Sequence, residues 1–516
     1  MRLSLIFLAI IATPAVAADS ATALPAEADV VQLQAALKSH RTTVSAVEQH
    51  YMQRISALDS HGPALHSIIQ LNPDAAALAT QLDAAADRTG ILFGVPVVLK
   101  DNIDTADGML TTAGSLALMD SKPERDAFIV RRLRASGALL LAKTNLSEWA
   151  NFRSDRSTSG WSGRGGLTRN PYDTTRSACG SSSGSGAAVA ADLTVLAVGT
   201  ETDGSITCPA SFNGLVGIKP TVGLVSRSGI IPISARQDTA GPMARSVADA
   251  AALLTVIAGY DPDDPATAPL KDAPPPDYRR FLDSGSLKGR RIGVVRKLAG
   301  FDPEVERVFD RAVQVLRAQG AIIVDPVALP NADKLSADEY TALLYEFKDG
   351  INRYLATRAG TSARSLAQLI DWNKAQAARE MFWFSQEHFV NAQAKGPITE
   401  AAYVKLRDGL HRLAGPEGID AALMHDHLDA LVAPNYGPAF VIDLVNGDHI
   451  ASGGIGAVPA IAGYPHITVP MGQIHDLPVG LSIIGTAFSE PKLIGIAYAY
   501  EQASHARRPP PLPRVR

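Results

Sequence analysis

The chain has little with which to hold a metal or to read a nucleic acid. Its 516 residues include two cysteines and 12 histidines, with no Cys-x-x-Cys pair and no Cys/His spacing that would close a zinc site. His425-Asp426-His427 comes nearest to a metal motif, but residues two apart do not share a helix face, so a solvated polar segment is expected there. The acidic stretch Asp261 to Asp264 lacks the glycine at the sixth place and the glutamate at the twelfth that a calcium loop needs. Charge is nearly balanced, 48 Lys and Arg against 52 Asp and Glu for a formal net charge of −4, which excludes the basic footprint of a nucleic-acid binder. After the leader, no apolar run reaches the ~18 residues that span a bilayer. There is no internal repeat and no low-complexity tract. No metal or organic cofactor is expected.

What is present describes a globular protein with a large core: 46% hydrophobic and 19% charged residues. The N-terminus stands apart. Arg2, the apolar run Leu3 to Ala12 and the small-residue site Ala15-Val16-Ala17 form a secretory signal peptide over residues 1–17, with cleavage expected after Ala17. Pro14 and the shortness of the run argue against a membrane anchor. The mature chain is therefore expected in the periplasm or outside the cell, without membrane attachment, as a monomer or a simple homo-oligomer. In such a compartment Cys179 and Cys208 could be a disulfide or two buried thiols, and spacing does not decide between them.

Helical periodicity at Thr43 to Leu58, a second helix from Pro73 through Ala86, a strand over 91–100, a helix over 126–136 and a strand over 138–142 alternate as in α/β proteins. A short helix at Ala187 to Ala191 leads into a strand at Leu193 to Gly199. Ser246 and Asp249 cap a helix over 247–258, and Ile292 to Val295, 303–319 and Ala321 to Val324 read as strand, helix and strand. Late strands are expected at 430–433, 466–469 and 479–484. Residues 335–420 are mostly helical, with Trp372, Phe382, Trp383 and Phe384, and read as an insertion that walls a substrate cleft or as ordinary core helices. Asn151 to Gly186 is rich in Gly, Ser and Arg without apolar periodicity, a length of irregular chain that in a compact domain is functional or disordered.

Three segments carry the chemistry. Val95, Val97, Val98 and Leu99 lead into Lys100; Cys179 to Gly186 is a Gly/Ser loop; and Thr202-Asp203-Gly204-Ser205 is a second loop. A serine hydroxyl needs a base to become a nucleophile. A lysine with its ordinary pKa of about 10.4 cannot serve at neutral pH, but burial disfavours the ammonium and can lower that value by several units. Asp101 opposes the shift unless its carboxylate turns away. Ser181 precedes a helix N-terminus, where N–H groups favour negative charge. Taken singly, each segment is also what a surface lysine, a flexible linker and a simple turn look like.

Together these motifs resemble the amidase signature family. The resemblance is carried by Lys100-Asp101-Asn102, by Gly180-Ser181-Ser182, by Thr202 to Ser205 with Pro209 and Gly217 to Thr221, by Asp238 to Val247 and by Gly463 to Pro470. It covers nearly all of residues 18–516, in the family's order. It implies one large mixed β-sheet flanked by helices on both faces, with the helical insertion at about 335–420. It also implies a hydrolase of linear amides that releases ammonia through an acyl-enzyme. Ser205 is then the nucleophile, Ser181 the bridging serine linked to Ser182 by a cis peptide, and Lys100 the base. The N–H groups of Thr202, Asp203, Gly204 and Ser205 form the oxyanion hole. Ser154 to Asn170 and Thr200 to Ser205 are most similar to the bacterial peptide amidases of that family, which act on C-terminal amides of peptides.

The chain also departs from the family pattern. Cys179 and Ser183 stand where glycine is usual, Asp203 and Thr207 where Gly and Arg are more frequent, and Ser482 where Gln is common. These changes leave the acyl preference open, so a general aliphatic or aryl acylamide amidase is the alternative within the family. Gly180-Ser181-Ser182-Ser183-Gly184 also fits a nucleophile elbow with Ser182 at its tip, but the required preceding strand is missing. The loop lacks the Gly-Lys-Ser/Thr ending of a phosphate cradle. An exported binding protein on an inactive amidase scaffold, and an amidotransferase subunit feeding ammonia to a tRNA-bound substrate, complete the alternatives.

Overall fold

Eleven strands form one mixed sheet through the centre of the computed structural model, which describes residues 24–361, 363–450, 454–513 and 515. The expected leader at residues 1–17 lies outside the described residues. The strands are β1 (Ile68–Leu71), β2 (Pro96–Lys100), β3 (Leu139–Thr144), β4 (Leu196–Glu201), β5 (Val216–Lys219) and β6 (Thr239–Ala244), followed by β7 (Arg291–Val294), β8 (Ile322–Val324), β9 (Ala430–Pro434), β10 (His466–Ile474) and β11 (Leu477–Ile484). Their order across the sheet is β1-β3-β2-β4-β6-β5-β10-β11-β9-β7-β8. β3, β2 and β4 run parallel, the middle strands alternate antiparallel, and β9, β7 and β8 are parallel again.

Every residue of β2, β3, β4, β6 and β9 is buried. Successive side chains of a strand point to opposite faces, so both faces of the sheet are covered, as parallel strands require. The strand expected over 91–100 begins only at Pro96. Leu92 to Val95 is a tight turn in which Val95 N–H donates to Leu92 O (2.9 Å) and Gly94 takes a φ of +70°. β4 runs two residues further than expected, to Glu201, which brings the second loop directly off a buried strand end. The helix expected at Ala187 starts at Ser183 instead.

Between β8 and β9 the chain is helical, with long helices at Ser336–Ala356, Leu366–Ala375 and Ala401–Ala414. Phe347, Ile351, Leu355 and Phe389 pack with Trp149, Phe152, Ile231 and Ile233 in one apolar cluster. The first two of these helices therefore form a core with the loops at the end of the sheet, while Ala401–Ala414 packs in a separate cluster and Phe382 remains 67% exposed. The irregular stretch after Asn151 is ordered by side-chain hydrogen bonds rather than by an apolar pattern. Asn145 Nδ2 donates to Gly160 O (3.2 Å) and Gly166 O (3.1 Å), and Asn170 Nδ2 donates to Ser177 O and Phe212 O (both 3.0 Å).

Candidate active site

The central strand β2 delivers Lys100 to a completely buried position between its parallel neighbours β3 and β4. Lys100 Nζ lies 2.7 Å from Ser181 Oγ, 3.1 Å from Thr200 O and 2.9 Å from Thr200 Oγ1. Burial pulls the amine down to about 7, against the attraction of the Glu201 and Asp238 carboxylates. A neutral amine has two N–H donors and one lone pair. Thr200 O can only accept, and Thr200 Oγ1 already accepts from Asn102 Nδ2 (3.0 Å). A neutral amine that spends both N–H groups on Thr200 keeps its lone pair for the Ser181 hydroxyl. Asp101 has turned away: its carboxylate pairs with Arg164 Nη1 (3.1 Å) and accepts from the Thr112 hydroxyl.

Lys143 and Lys219 are equally buried and both pulled down to about 8 by desolvation. Sequence reading passed over them. Lys143 Nζ is spent on Ile103 O, Leu110 O and Thr111 Oγ1, and Lys219 Nζ on Pro220 O. Among the described residues neither has a serine partner.

The hydroxyls of the first loop are divided by their partners. Ser182 Oγ donates to Thr200 O (3.1 Å) and accepts from Thr200 N–H (3.2 Å). Ser183 Oγ donates to Cys179 O (2.5 Å), and Ser185 Oγ shares a bond with Thr144 Oγ1 (2.7 Å). Ser182 therefore fastens the loop to β4, and among the described residues no histidine bonds it, so the elbow reading finds no base there. The cis peptide lies between Gly180 and Ser181, not between Ser181 and Ser182 as expected. At the start of the helix after the loop, two N–H groups are already taken: Ser182 N–H donates to Ser205 O (3.2 Å) and Gly184 N–H to Asn145 O (2.9 Å).

The second loop behaves differently. Glu201 Oε2 takes the N–H groups of Ile206 (2.7 Å) and Thr207 (3.0 Å), while among the described residues no protein acceptor takes those of Thr202, Asp203, Gly204 or Ser205. Gly204 sits at φ +73°, the left-handed region that glycine adopts without penalty. A Cβ there would stand 2.5 Å from the Tyr436 hydroxyl. Ser205 is 8% exposed at the end of this run of free donors.

Thr202 Oγ1 donates to Asp238 Oδ1 (2.6 Å), and Gln237 Nε2 bridges Thr202 O (3.2 Å) and Glu339 Oε1 (2.7 Å). Asp203 has an exposed edge, but desolvation by the surrounding protein, with the Glu339 and Glu201 carboxylates beside it, pushes its carboxyl well above the usual range. Glu339 is raised too, by burial.

Cys179 and Cys208 form a disulfide with Cα atoms 5.9 Å apart, which settles the question the sequence left open. A cavity of about 890 Å³ adjoins the lysine network, with Asn102, Thr200, Thr202, Asp238, Ile231 and Tyr354 in its wall. Ser482 donates nothing to this region: it bonds Asn435 Nδ2 (3.0 Å) and His466 Nε2 (2.8 Å) inside the sheet. His425 is 81% exposed and pairs with Asp426 at the surface. Among the described residues no group of three or more His, Cys, Asp or Glu is placed to hold a metal.

An amidase family profile matches residues 46–494 of the chain. A probable amidase of Arabidopsis thaliana is 41% identical over 499 residues, covering 94% of this chain and 91% of its own length. The A subunit of a glutamyl-tRNA(Gln) amidotransferase from Chloroflexus aurantiacus is 35% identical over 496 residues, covering 93% and 98%. Among solved structures, the native peptide amidase from Stenotrophomonas maltophilia superposes with a TM-score of 0.89 at 53% identity, covering 94% of this chain and 98% of that one.

Proposed function

The chain belongs to the amidase signature family and is a hydrolase acting on amides, and from that premise we propose that it removes the C-terminal amide of peptides through Lys100, Ser181 and Ser205. The observation that carries the mechanism is the 2.7 Å contact between the buried Lys100 Nζ and Ser181 Oγ. The neutral amine takes the Ser181 proton as Ser181 takes that of Ser205. Ser205 Oγ then attacks the carboxamide carbon, and the oxygen that becomes negative is received by the free N–H groups of the Thr202 to Ser205 loop, donors of a kind worth ~3–4 kcal/mol each in the transition state. The proton returns through Ser181 to the leaving nitrogen, ammonia departs, and water follows the same route to release the acid.

The peptide part of the proposal is supported by the 53% identity to the Stenotrophomonas maltophilia peptide amidase, against 35% for the amidotransferase subunit. Export, proposed from residues 1–17, is supported by the disulfide, since such bonds persist in oxidising compartments. The test is ammonia release from a panel of peptide amides, free glutamine and asparagine, and simple aryl and aliphatic amides. A clear kcat/KM preference for peptide amides is expected. Preference for the simple amides would replace the substrate and keep the mechanism. Absence of both turnover and phosphonate labelling at Ser205 would leave a binding protein.

A further inference from the structure

We infer that the bond between Cys179 and Cys208 is a positioning element of the catalytic centre, so that turnover, and not only stability, depends on oxidation of this pair. The inference rests on the roles proposed above for Ser181 and Ser205. The chain has two cysteines in 516 residues, and each flanks one of those serines, Cys179 just before Ser181 and Cys208 just after Ser205.

The backbone shows what the bond holds. Cys179 sits at φ +54°, a left-handed conformation that a residue with a Cβ adopts at a cost, and it leads directly into Gly180 and Ser181. Cys208 N–H donates to Gly204 O (2.8 Å), so the residue that carries the second sulfur also closes the turn presenting Ser205 and its free N–H groups. At their inner ends the two loops are joined by Ser182 N–H to Ser205 O (3.2 Å). Asn213 Nδ2 ties the end of the following helix back to Ala178 O (2.9 Å). The disulfide is the one covalent link between these loops.

Beyond those two hydrogen bonds, the apolar packing around the pair is small. Cys179 and Cys208 belong to a small satellite cluster with Phe212, Ala439 and Leu477, apart from the large core that covers the sheet. Loss of the bond is therefore expected to loosen the separation of Ser181 and Ser205 while the sheet stays folded. A displacement on the order of 1 Å at a reacting group costs about 100-fold in rate. Both cysteines are 2% exposed, so the bond, once made, is shielded from soluble thiols. Its formation converts two thiols to one disulfide, with two protons and two electrons passing to an oxidant of the disulfide class, such as oxidised glutathione.

The test compares the full chain with the Cys179→Ala/Cys208→Ala variant at a temperature where circular dichroism shows both folded. For the variant we expect kcat to fall about 100-fold with KM little changed, and fluorophosphonate labelling of Ser205 to slow in parallel. A variant that keeps kcat and labelling within about twofold and only melts earlier overturns the inference. If the variant does not fold, wild-type chain prepared under reducing conditions is assayed before and after treatment with oxidised glutathione, with its thiols counted. Activity that rises as the thiols disappear supports the inference, and activity already full in the dithiol form overturns it. Labelling of Ser205 needs no amide substrate, so a wrong substrate assignment does not obscure the result.

Discussion

Lys100 Nζ and Ser181 Oγ lie 2.7 Å apart, and both residues are wholly buried. A charged amine in that position would have only Thr200 and Ser181 to replace its hydration. The pair is consequently poised to exchange a proton near neutrality, the property a general base needs.

Removal of the pair should separate chemistry from fold. Lys100→Ala and Ser181→Ala are each expected to lower kcat by ~10²–10⁴, and Ser205→Ala to abolish both turnover and phosphonate labelling. Ser182→Ala is the informative control. Its hydroxyl holds Thr200 through two hydrogen bonds, so its loss should slow turnover moderately and leave labelling of Ser205 in place. Loss of labelling in Ser182→Ala, with labelling retained in Ser205→Ala, would reverse the two assignments.

The pH dependence follows from the same amine. Lys100 titrates near 7 in the folded chain, so kcat/KM is expected to rise from pH 5.5 and level off above ~8. Stability follows pH in the same direction. The folded pKa lies below the ordinary 10.5 of a lysine, so between about 7 and 10.5 the unfolded chain holds the extra proton and stability grows with pH across that window. At pH 7 the buried amine costs on the order of 4 kcal/mol. Lys100→Met removes that cost and forfeits ~1–3 kcal/mol at the unpaired Thr200 groups. Urea denaturation at pH 7 should therefore find the inactive variant more stable than wild type, and a less stable variant would contradict the assigned protonation.

Much of this site was legible in the sequence because it is local. The apolar run before Lys100 and the glycines of the two loops are covalent neighbours of the groups they serve, and the family motifs preserve their order. What was not legible depends on contacts across the fold. The disulfide requires two loops to meet. Lys143 carries no motif of its own, and its burial follows only from the three oxygen partners that converge on it in the fold. The helix before Ala187 was placed late because Ser183 to Gly186 are poor helix formers. Tertiary bonds such as Gly184 N–H to Asn145 O stabilise them there.

Asp203 stands in the loop that would receive the oxyanion, with Glu339 and Glu201 beside it. Its carboxyl is pushed well above the usual carboxylate range by desolvation first and by those carboxylates second. When it ionises, a negative charge opposes the oxyanion, so its titration should subtract from the rise in kcat/KM that Lys100 produces. Asp203→Asn keeps the shape and removes the charge. In Asp203→Asn the contribution of that charge is expected to vanish from the profile while the limb near 7 that belongs to Lys100 stays fixed. Profiles of wild type and variant that coincide from pH 6 to 10 would remove Asp203 from any electrostatic role.

Arg153 joins the helical insertion to the loop after β3. Its Nη1 lies 2.7 Å from Glu148 Oε1, with both side chains fully buried, and donates to Glu380 O (2.5 Å). Its guanidinium stands 4.2 Å from the centre of the Phe384 ring. The Glu148 carboxyl is pushed up to about 8 by burial, a rise that Arg153 opposes and the Glu380 carboxylate reinforces. Removing the arginine leaves two buried acids facing one another, a loss of the kind that costs ~3–5 kcal/mol. Protonation can neutralise those acids, so the sign with pH is fixed. A carboxyl whose folded pKa is raised binds its proton more tightly in the folded chain, and its contribution declines as pH rises from about 4.5 through 8. Arg153→Met should accordingly destabilise more at pH 8.5 than at pH 5.5 in urea denaturation, and Glu148→Gln in the same chain should recover most of the difference. An equal loss at both pH values would mean that Arg153 acts through its packing against Phe384 rather than through its charge.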